Sequence, residues 1–94
     1  MNGNLIHKKS SVGFKIIDGK AFLIFLEASP AANEVFYILN DTGTRIWQLI
    51  NGKRTRQDIA KMIADEFGLK TAEATIETVA FIKQLLSKGL AVSS

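Results

Sequence analysis

Residues 34–50 read EVFYILNDTGTRIWQLI, and the spacing of the apolar side chains changes at Asn40. Before Asn40 the residues are β-branched or aromatic in succession, which is typical of a strand. After it, Ile46, Trp47 and Ile50 recur at helical spacing, and the side chain of Asn40 or Asp41 can cap the helix. The stretch therefore predicts a β part that ends near Asn40 and a helical part that follows it.

Upstream of this stretch, the sequence predicts two more strands and hence a three-stranded antiparallel meander. Val12, Phe14 and Ile16 alternate with their neighbours, as in a half-buried strand. Asp18-Gly19 then supplies residues that tolerate the positive φ of a two-residue hairpin turn. A second strand is predicted over residues 20–27, before a loop that contains the single proline.

Downstream, the spacing predicts three helices. The first ends at Asn51-Gly52, and the second begins after Thr55, where Asp58 completes a capping box, and ends at Gly68. The third is predicted to be capped by Thr71 and to run to Gly89. Its core stripe is predicted to consist of Ile76, Val79, Ile82 and Leu86, with Phe81 and Leu85 outside it. Leu90 to Val92 are expected to dock back on the body of the domain.

Length and composition exclude several classes of protein. Ninety-four residues, 47% of them hydrophobic, predict one globular domain over residues 1–94. The longest apolar run, Ala21 to Leu26, is far shorter than a membrane helix, and the N-terminus lacks the pattern of a secretory signal. We therefore expect a cytoplasmic protein with no membrane segment.

The residues that enzymes use are scarce in this chain. It has no cysteine and one histidine, His7, which we expect to be solvated in a loose N-terminal segment. Gly52-Lys53-Arg54-Thr55 lacks the first glycine of a phosphate-binding loop. We therefore predict no catalytic residue, no metal ligand and no cofactor.

An excess of apolar residues predicts a binding surface. The second and third strands carry bulky apolar residues on both faces, whereas three short helices can cover only one face. The third strand is also an edge of the predicted meander, with unpaired N–H and C=O groups. An extended peptide could pair with this edge and place alternate side chains in the adjoining groove. A second copy of the chain, in a homodimer, could use the same surface.

Three helices with a small sheet also describe a winged helix-turn-helix, so a DNA-binding regulator is the alternative. The net charge is +3, and Lys53, Arg54 and Arg56 form a basic cluster. However, the third helix begins with Glu73 and Glu77, which would repel phosphates, and it lacks a base-reading cluster. We therefore expect nucleic acid to be the weaker candidate partner.

Two motifs resemble those of the PqqD family of small peptide chaperones. The first is the Leu39-Asn40-Asp41-Thr42-Gly43 run with Ile46-Trp47, and the second is Gly52-Lys53-Arg54-Thr55 with Ile59-Ala60. Near the end of the chain, Phe81-Ile82 and Gly89-Leu90 match as well. The resemblance covers about residues 12–92.

This resemblance implies an α+β, winged-helix-like fold and a function. A domain of this kind binds the leader of a ribosomally made precursor peptide by strand addition and presents it to a modifying enzyme, often a radical SAM protein in pyrroloquinoline quinone biosynthesis. Lasso peptide pathways use related members. By position, the resemblance implies peptide contacts at Glu34, Val35, Phe36, Tyr37, Ile38 and Leu39 of the third strand, and at Ile76, Val79, Ala80 and Lys83 of the third helix. Lys83 would suit an acidic leader residue.

Overall fold

The computed structural model describes residues 4–25 and 36–94. In chain order, the strands and helices are β1 (Ile6–Lys8), β2 (Val12–Ile17), β3 (Lys20–Phe25), β4 (Phe36–Leu39), α1 (Asp41–Leu49), α2 (Arg56–Phe67), α3 (Thr71–Ser87) and β5 (Ala91–Ser93). The predicted α+β architecture, a three-stranded antiparallel sheet followed by three helices, is confirmed. The predicted loop between β3 and β4 lies outside the described residues.

The three-stranded sheet has the order β2-β3-β4, and both pairings are antiparallel. The Asp18-Gly19 turn has positive φ at both residues, 50° and 77°, as the hairpin prediction required. One face of the sheet lies on the core, where Leu23 and Leu39 are buried. On the other face Ile17 and Ile38 are exposed, so the helices do cover only one face of the sheet.

Two of the three helices begin with the caps that the sequence predicts. The Asn40 side chain accepts a hydrogen bond from the Gly43 N–H at 2.7 Å, which caps α1. Thr55 and Asp58 form the reciprocal capping box of α2, and these hydrogen bonds hold the pKa of Asp58 below its usual value. Thr71, by contrast, is the first residue of α3 and not its cap; Lys70 occupies the cap position and makes no side-chain cap bond.

The core stripe of α3 differs from the prediction. Ala74, Thr78, Ile82 and Leu85 are the buried residues of α3, whereas Ile76 is 71% exposed and Val79 is also exposed. The buried residues cluster around the positions of Leu85 and Thr78 on the helical wheel, about half a turn from Ile76. Of the predicted stripe, Ile82 is buried and Leu86 is partly buried against the core, whereas Ile76 and Val79 are not. The core instead buries Ala74 and Thr78, which are smaller than the two β-branched residues that the prediction placed there.

A second, two-stranded sheet joins the two ends of the chain. β1 pairs antiparallel with β5, and Ile6, Leu90 and Ala91 are buried. The predicted docking of residues 90–92 is therefore confirmed, but the expectation of a loose N-terminal segment is wrong. His7 is half-buried in β1, and its Nε2 lies 3.1 Å from the Ser94 Oγ.

The two-residue turn after α1 packs against this second sheet. Gly52 has φ +80°, and its N–H donates to the Ile6 carbonyl at 2.9 Å. A Cβ atom at Gly52 would lie 2.7 Å from the His7 Nδ1. Gly52 is thus required both for its left-handed backbone and for the close approach of the His7 ring.

We predict that Gly52→Ala lowers the free energy of unfolding by about 2 kcal/mol, since it adds steric overlap to the unfavourable φ. Gly19→Ala is the matched control, because Gly19 has a similar φ of +77° and no heavy atom within 4 Å of its Cβ position. Urea denaturation of both variants measures the difference. Equal losses of stability would contradict a specific contact between Gly52 and His7.

An exposed ion pair links the first two helices. The Arg45 side chain of α1 donates two hydrogen bonds to the Glu66 carboxylate of α2, at 2.6 and 3.0 Å. This hydrogen bonding raises the pKa of Arg45 and lowers that of Glu66. The pair fixes the orientation of α1 on α2 through two parallel bonds.

Candidate peptide-binding groove

The first component of the site is the outer edge of β4. Within residues 4–25 and 36–94, β4 has β3 on one side and no strand on the other. The two-residue turn Asp18-Gly19 is flanked by the hydrogen-bonded pair Ile17↔Lys20. From this pair onward, hydrogen-bonded and non-hydrogen-bonded pairs alternate along the strands, and the residues of β3 that do not bond to β2 bond to β4. The alternation makes Leu23↔Tyr37 a hydrogen-bonded pair and Phe22↔Ile38 a non-hydrogen-bonded pair.

This alternation determines which backbone groups face outward. The N–H and C=O groups of Tyr37 and Leu39 point to β3, whereas those of Ile38 point away from the sheet. The Ile38 side chain is 59% exposed. The edge therefore offers the backbone donor and acceptor of Ile38 to an added strand.

The second component is a groove that begins between β4 and α3 and extends along α3 to the start of α1, and it is made of two adjoining cavities. The larger has a volume of about 250 Å³ and the smaller about 100 Å³. Phe81 and Gln84 of α3 line both, so the two cavities adjoin at these side chains. The larger is also lined by Asn40, Thr42, Gly43, Ile46, Glu77 and Ala80, and the smaller by Leu23, Tyr37, Ile38, Leu39, Leu85, Lys88 and Leu90.

The two ends of the groove differ in charge. Among the described residues, Glu77 is the one charged residue that lines the larger cavity, which also has the polar side chains of Asn40 and Thr42. Within the same ranges, Lys88 is the one charged residue that lines the smaller cavity, which is otherwise largely apolar. The Lys88 Nζ lies 5.0 Å from the centre of the Tyr37 ring, a cation–π distance. This contact places the ammonium group at the mouth of the apolar cavity.

Gly43 allows the close approach of α1 and α3 that forms the floor of the larger cavity. A Cβ atom at this position would lie 3.0 Å from the Asn40 Oδ1 and 3.1 Å from the Phe81 Cε1. Any larger residue at position 43 would therefore displace the Asn40 cap or the Phe81 ring. Glycine is required at position 43 because there is little space for a Cβ atom, and not because the backbone has a positive φ.

The structure brings together some of the predicted site residues. Tyr37, Ile38, Leu39 and Ala80 line the groove. Ile76, Val79 and Lys83 are exposed on α3 but line neither cavity. Phe36 is the first residue of β4. Glu34 and Val35 lie outside the described residues, so their predicted role remains a prediction.

The sequence-based site omitted five residues that line the groove: Glu77, Phe81, Gln84 and Leu85 of α3, and Lys88 immediately after this helix. A signal for two of them was present, because Phe81 and Leu85 are apolar residues outside the predicted core stripe. Leu85 is buried and Phe81 is partly buried against the core. The two apolar residues outside the predicted stripe, Phe81 and Leu85, thus indicated the side of α3 that faces the groove.

One residue of the basic cluster near the start of α2, Arg54, has a structural role within the domain. The Arg54 Nη1 donates to the Leu49 carbonyl at 2.8 Å, which satisfies a backbone acceptor at the end of α1.

The described residues contain no group of three or more His, Cys, Asp or Glu side chains suited to a metal ion. Nor is any helix in the described ranges long and apolar enough to cross a membrane.

Comparisons with known proteins agree with this geometry. The family model described as coenzyme PQQ synthesis protein D (PqqD) matches residues 26–91. The solved structure "TbiB1 in Complex with the TbiA(beta) Leader Peptide" superposes with a TM-score of 0.73 at 21% identity, over 90% of this chain and 93% of that one. A second, "Lasso peptide synthetase B1 complexed with the leader peptide", has a TM-score of 0.76 at 18% identity, over 93% and 96%. The sequence has no significant match among curated proteins.

Proposed function

The chain belongs to the PqqD family, and from this premise we propose that it binds the leader of a ribosomally made precursor peptide and presents it to a modifying enzyme. The observation that carries the proposal is the groove between β4 and α3, which has an outward-facing strand edge on one side and apolar side chains on the other. Both similar structures are described as complexes with leader peptides.

The proposed mode of binding is strand addition to β4. The backbone of the leader would pair with the outward N–H and C=O groups of Ile38, and every second side chain would enter the groove toward Phe81 and Leu85. Backbone pairing would supply affinity for any extended segment. The two cavities would supply selectivity for particular side chains.

The predicted contacts on the exposed side of α3 form the outer part of this proposed site. Ile76, Val79 and Lys83 would contact the parts of a guest that extend beyond the two cavities, and Ala80, which lines the larger cavity, is adjacent to them on α3. Glu34, Val35 and Phe36 would extend the pairing edge toward the start of β4.

We further propose that the domain acts without chemistry of its own. Holding the leader raises the local concentration of the attached core peptide at the modifying enzyme. A radical SAM protein, as in pyrroloquinoline quinone biosynthesis, is one candidate for this enzyme, and a lasso peptide pathway is another setting.

Selection from a displayed library of random fifteen-residue peptides tests the proposal on the full chain. We expect selected peptides to bind in a 1:1 ratio and to shift the backbone amide resonances of β4 and α3 in ¹⁵N-labelled protein. If no peptide is enriched, or if the resonance shifts are confined to parts of the chain other than β4 and α3, the proposed function is contradicted. Sedimentation in the same experiment shows whether a homodimer competes for the edge.

The same spectra distinguish peptide binding from the alternative function, DNA binding. Double-stranded DNA would act through Lys53 and Arg56, with resonance shifts that disappear at moderate salt. The geometry favours the peptide because Glu73 and Glu77 place negative charge on the first turns of α3, and because Arg54 is engaged with the Leu49 carbonyl.

A further inference from the structure

We infer that the groove is charge-polarised and selects a guest segment in which a basic side chain precedes an acidic one by four or six residues. This inference rests on the proposed function and specifies the class of peptide bound. Its basis is the position of Glu77 at one end of the groove and of Lys88 at the other, with no other charged side chain among the residues of 4–25 and 36–94 that line the two cavities.

The Lys88 end is built to receive an anion. The ammonium group lies over the Tyr37 ring, and the smaller cavity beside it is lined by apolar side chains. The ring limits the freedom of a long side chain, which lowers the entropic cost of forming an ion pair. Lys83, in contrast, lines neither cavity. The structure therefore assigns recognition of an acidic guest residue to Lys88.

The spacing follows from the geometry of helices and strands. Glu77 in α3 and Lys88, the C-cap residue of this helix, are 11 positions apart, which corresponds to about 16 Å along the helix axis. An extended guest covers this distance in about five residues. Because only every second side chain of a strand faces the groove, the two charged residues of the guest must be separated by an even number, four or six.

The order of the two charges follows from the direction of β4. The strand runs from Tyr37, beside Lys88, toward Asn40, which shares the larger cavity with Glu77. A guest that pairs antiparallel, the slightly more stable arrangement, passes Glu77 first and Lys88 second. Its basic residue therefore comes earlier in the sequence than its acidic residue.

Library selection on charge-swapped protein tests the inference. Random peptides are selected on the wild-type chain, on the double variant Glu77→Lys with Lys88→Glu, and on the control Lys61→Glu, whose site on α2 is exposed. We expect wild type and control to enrich the basic-then-acidic order and the swapped variant to enrich the reverse. Circular dichroism shows whether each variant is folded.

Affinities of one selected peptide give the second readout. Lys88→Gln should weaken its binding about fivefold, the upper range for an exposed ion pair, and Lys83→Gln should weaken it less. The double charge swap should prefer the peptide with its two charges exchanged. Peptides that bind well but show no charge order, the opposite order, or an equal effect of both lysines would overturn the inference and leave the proposed function standing. Absence of any bound peptide would overturn both.

Discussion

Replacing Ile38 by proline is expected to weaken the binding of a selected peptide at least tenfold while the domain stays folded. The Ile38 N–H points to the open edge of β4, so proline removes a donor that the guest would use and not one that holds the sheet together. A lost hydrogen bond costs about 1 kcal/mol, and the proline ring also obstructs an incoming strand. Isothermal calorimetry on the full chain measures the change.

Ile38→Thr is the matched control for this variant. Threonine keeps the N–H and a β-branched side chain, and it shortens the side chain at a position that is 59% exposed. The control should therefore retain most of the affinity. If the proline variant binds as tightly as the threonine variant, the guest does not pair with β4. Proline at Tyr37 would be a poor test, because the N–H there points to β3 and its loss would weaken the sheet itself.

Replacing Gln84 by tryptophan is expected to abolish measurable peptide binding, a loss of more than thirtyfold. Gln84 lines both cavities, and its side chain is exposed. An indole group at this position would occupy the space shared by the two cavities and exclude the side chains of a guest. Fluorescence polarisation with a labelled selected peptide measures the loss of binding.

Gln57→Trp is the control that makes the same chemical change elsewhere. Gln57 is exposed near the start of α2 and lines neither cavity. It should leave the affinity unchanged, and thermal unfolding should show that both tryptophan variants are folded. Wild-type affinity in the Gln84 variant would mean that a guest does not enter the groove between β4 and α3.

The elements of the fold could be predicted from local signals. The Asp18-Gly19 turn, the Asn40 cap, and the Thr55 and Asp58 capping box each involve neighbouring residues, so their chemistry is visible in a short stretch of sequence. The change of period at Asn40 likewise marks the boundary between sheet and helices. These features are confirmed because they depend little on distant contacts.

The errors arose where distant parts of the chain meet. The β1–β5 pairing joins residues at opposite ends of the sequence, and β1 has only three residues, too few for a clear periodicity. The face of α3 was misassigned because Ile76 and Val79 are more apolar than Ala74 and Thr78, which are buried. Small residues are selected there by the space between the helices, and that space is a property of the assembled core.

The position of the groove could be predicted from the sequence, but its charges could not. An edge strand and surplus apolar residues indicate a binding surface, so β4 and the region of Phe81 could be anticipated. The charges at the two ends could not, since Glu77 and Lys88 are ordinary exposed residues in the sequence. Their significance depends on which turn of α3 lies beside Tyr37 and which beside Asn40.

The pairing of β1 with β5 also has a practical consequence for engineering. Because Ile6 lies opposite Ser93, a short flexible linker can join the residues at these two positions without crossing the body of the domain. New termini opened at the Asp18-Gly19 turn would then lie between β2 and β3, neither of which is the proposed pairing edge. Because Ala21 pairs with Leu39, a fluorophore attached at this turn would lie one strand away from the end of β4.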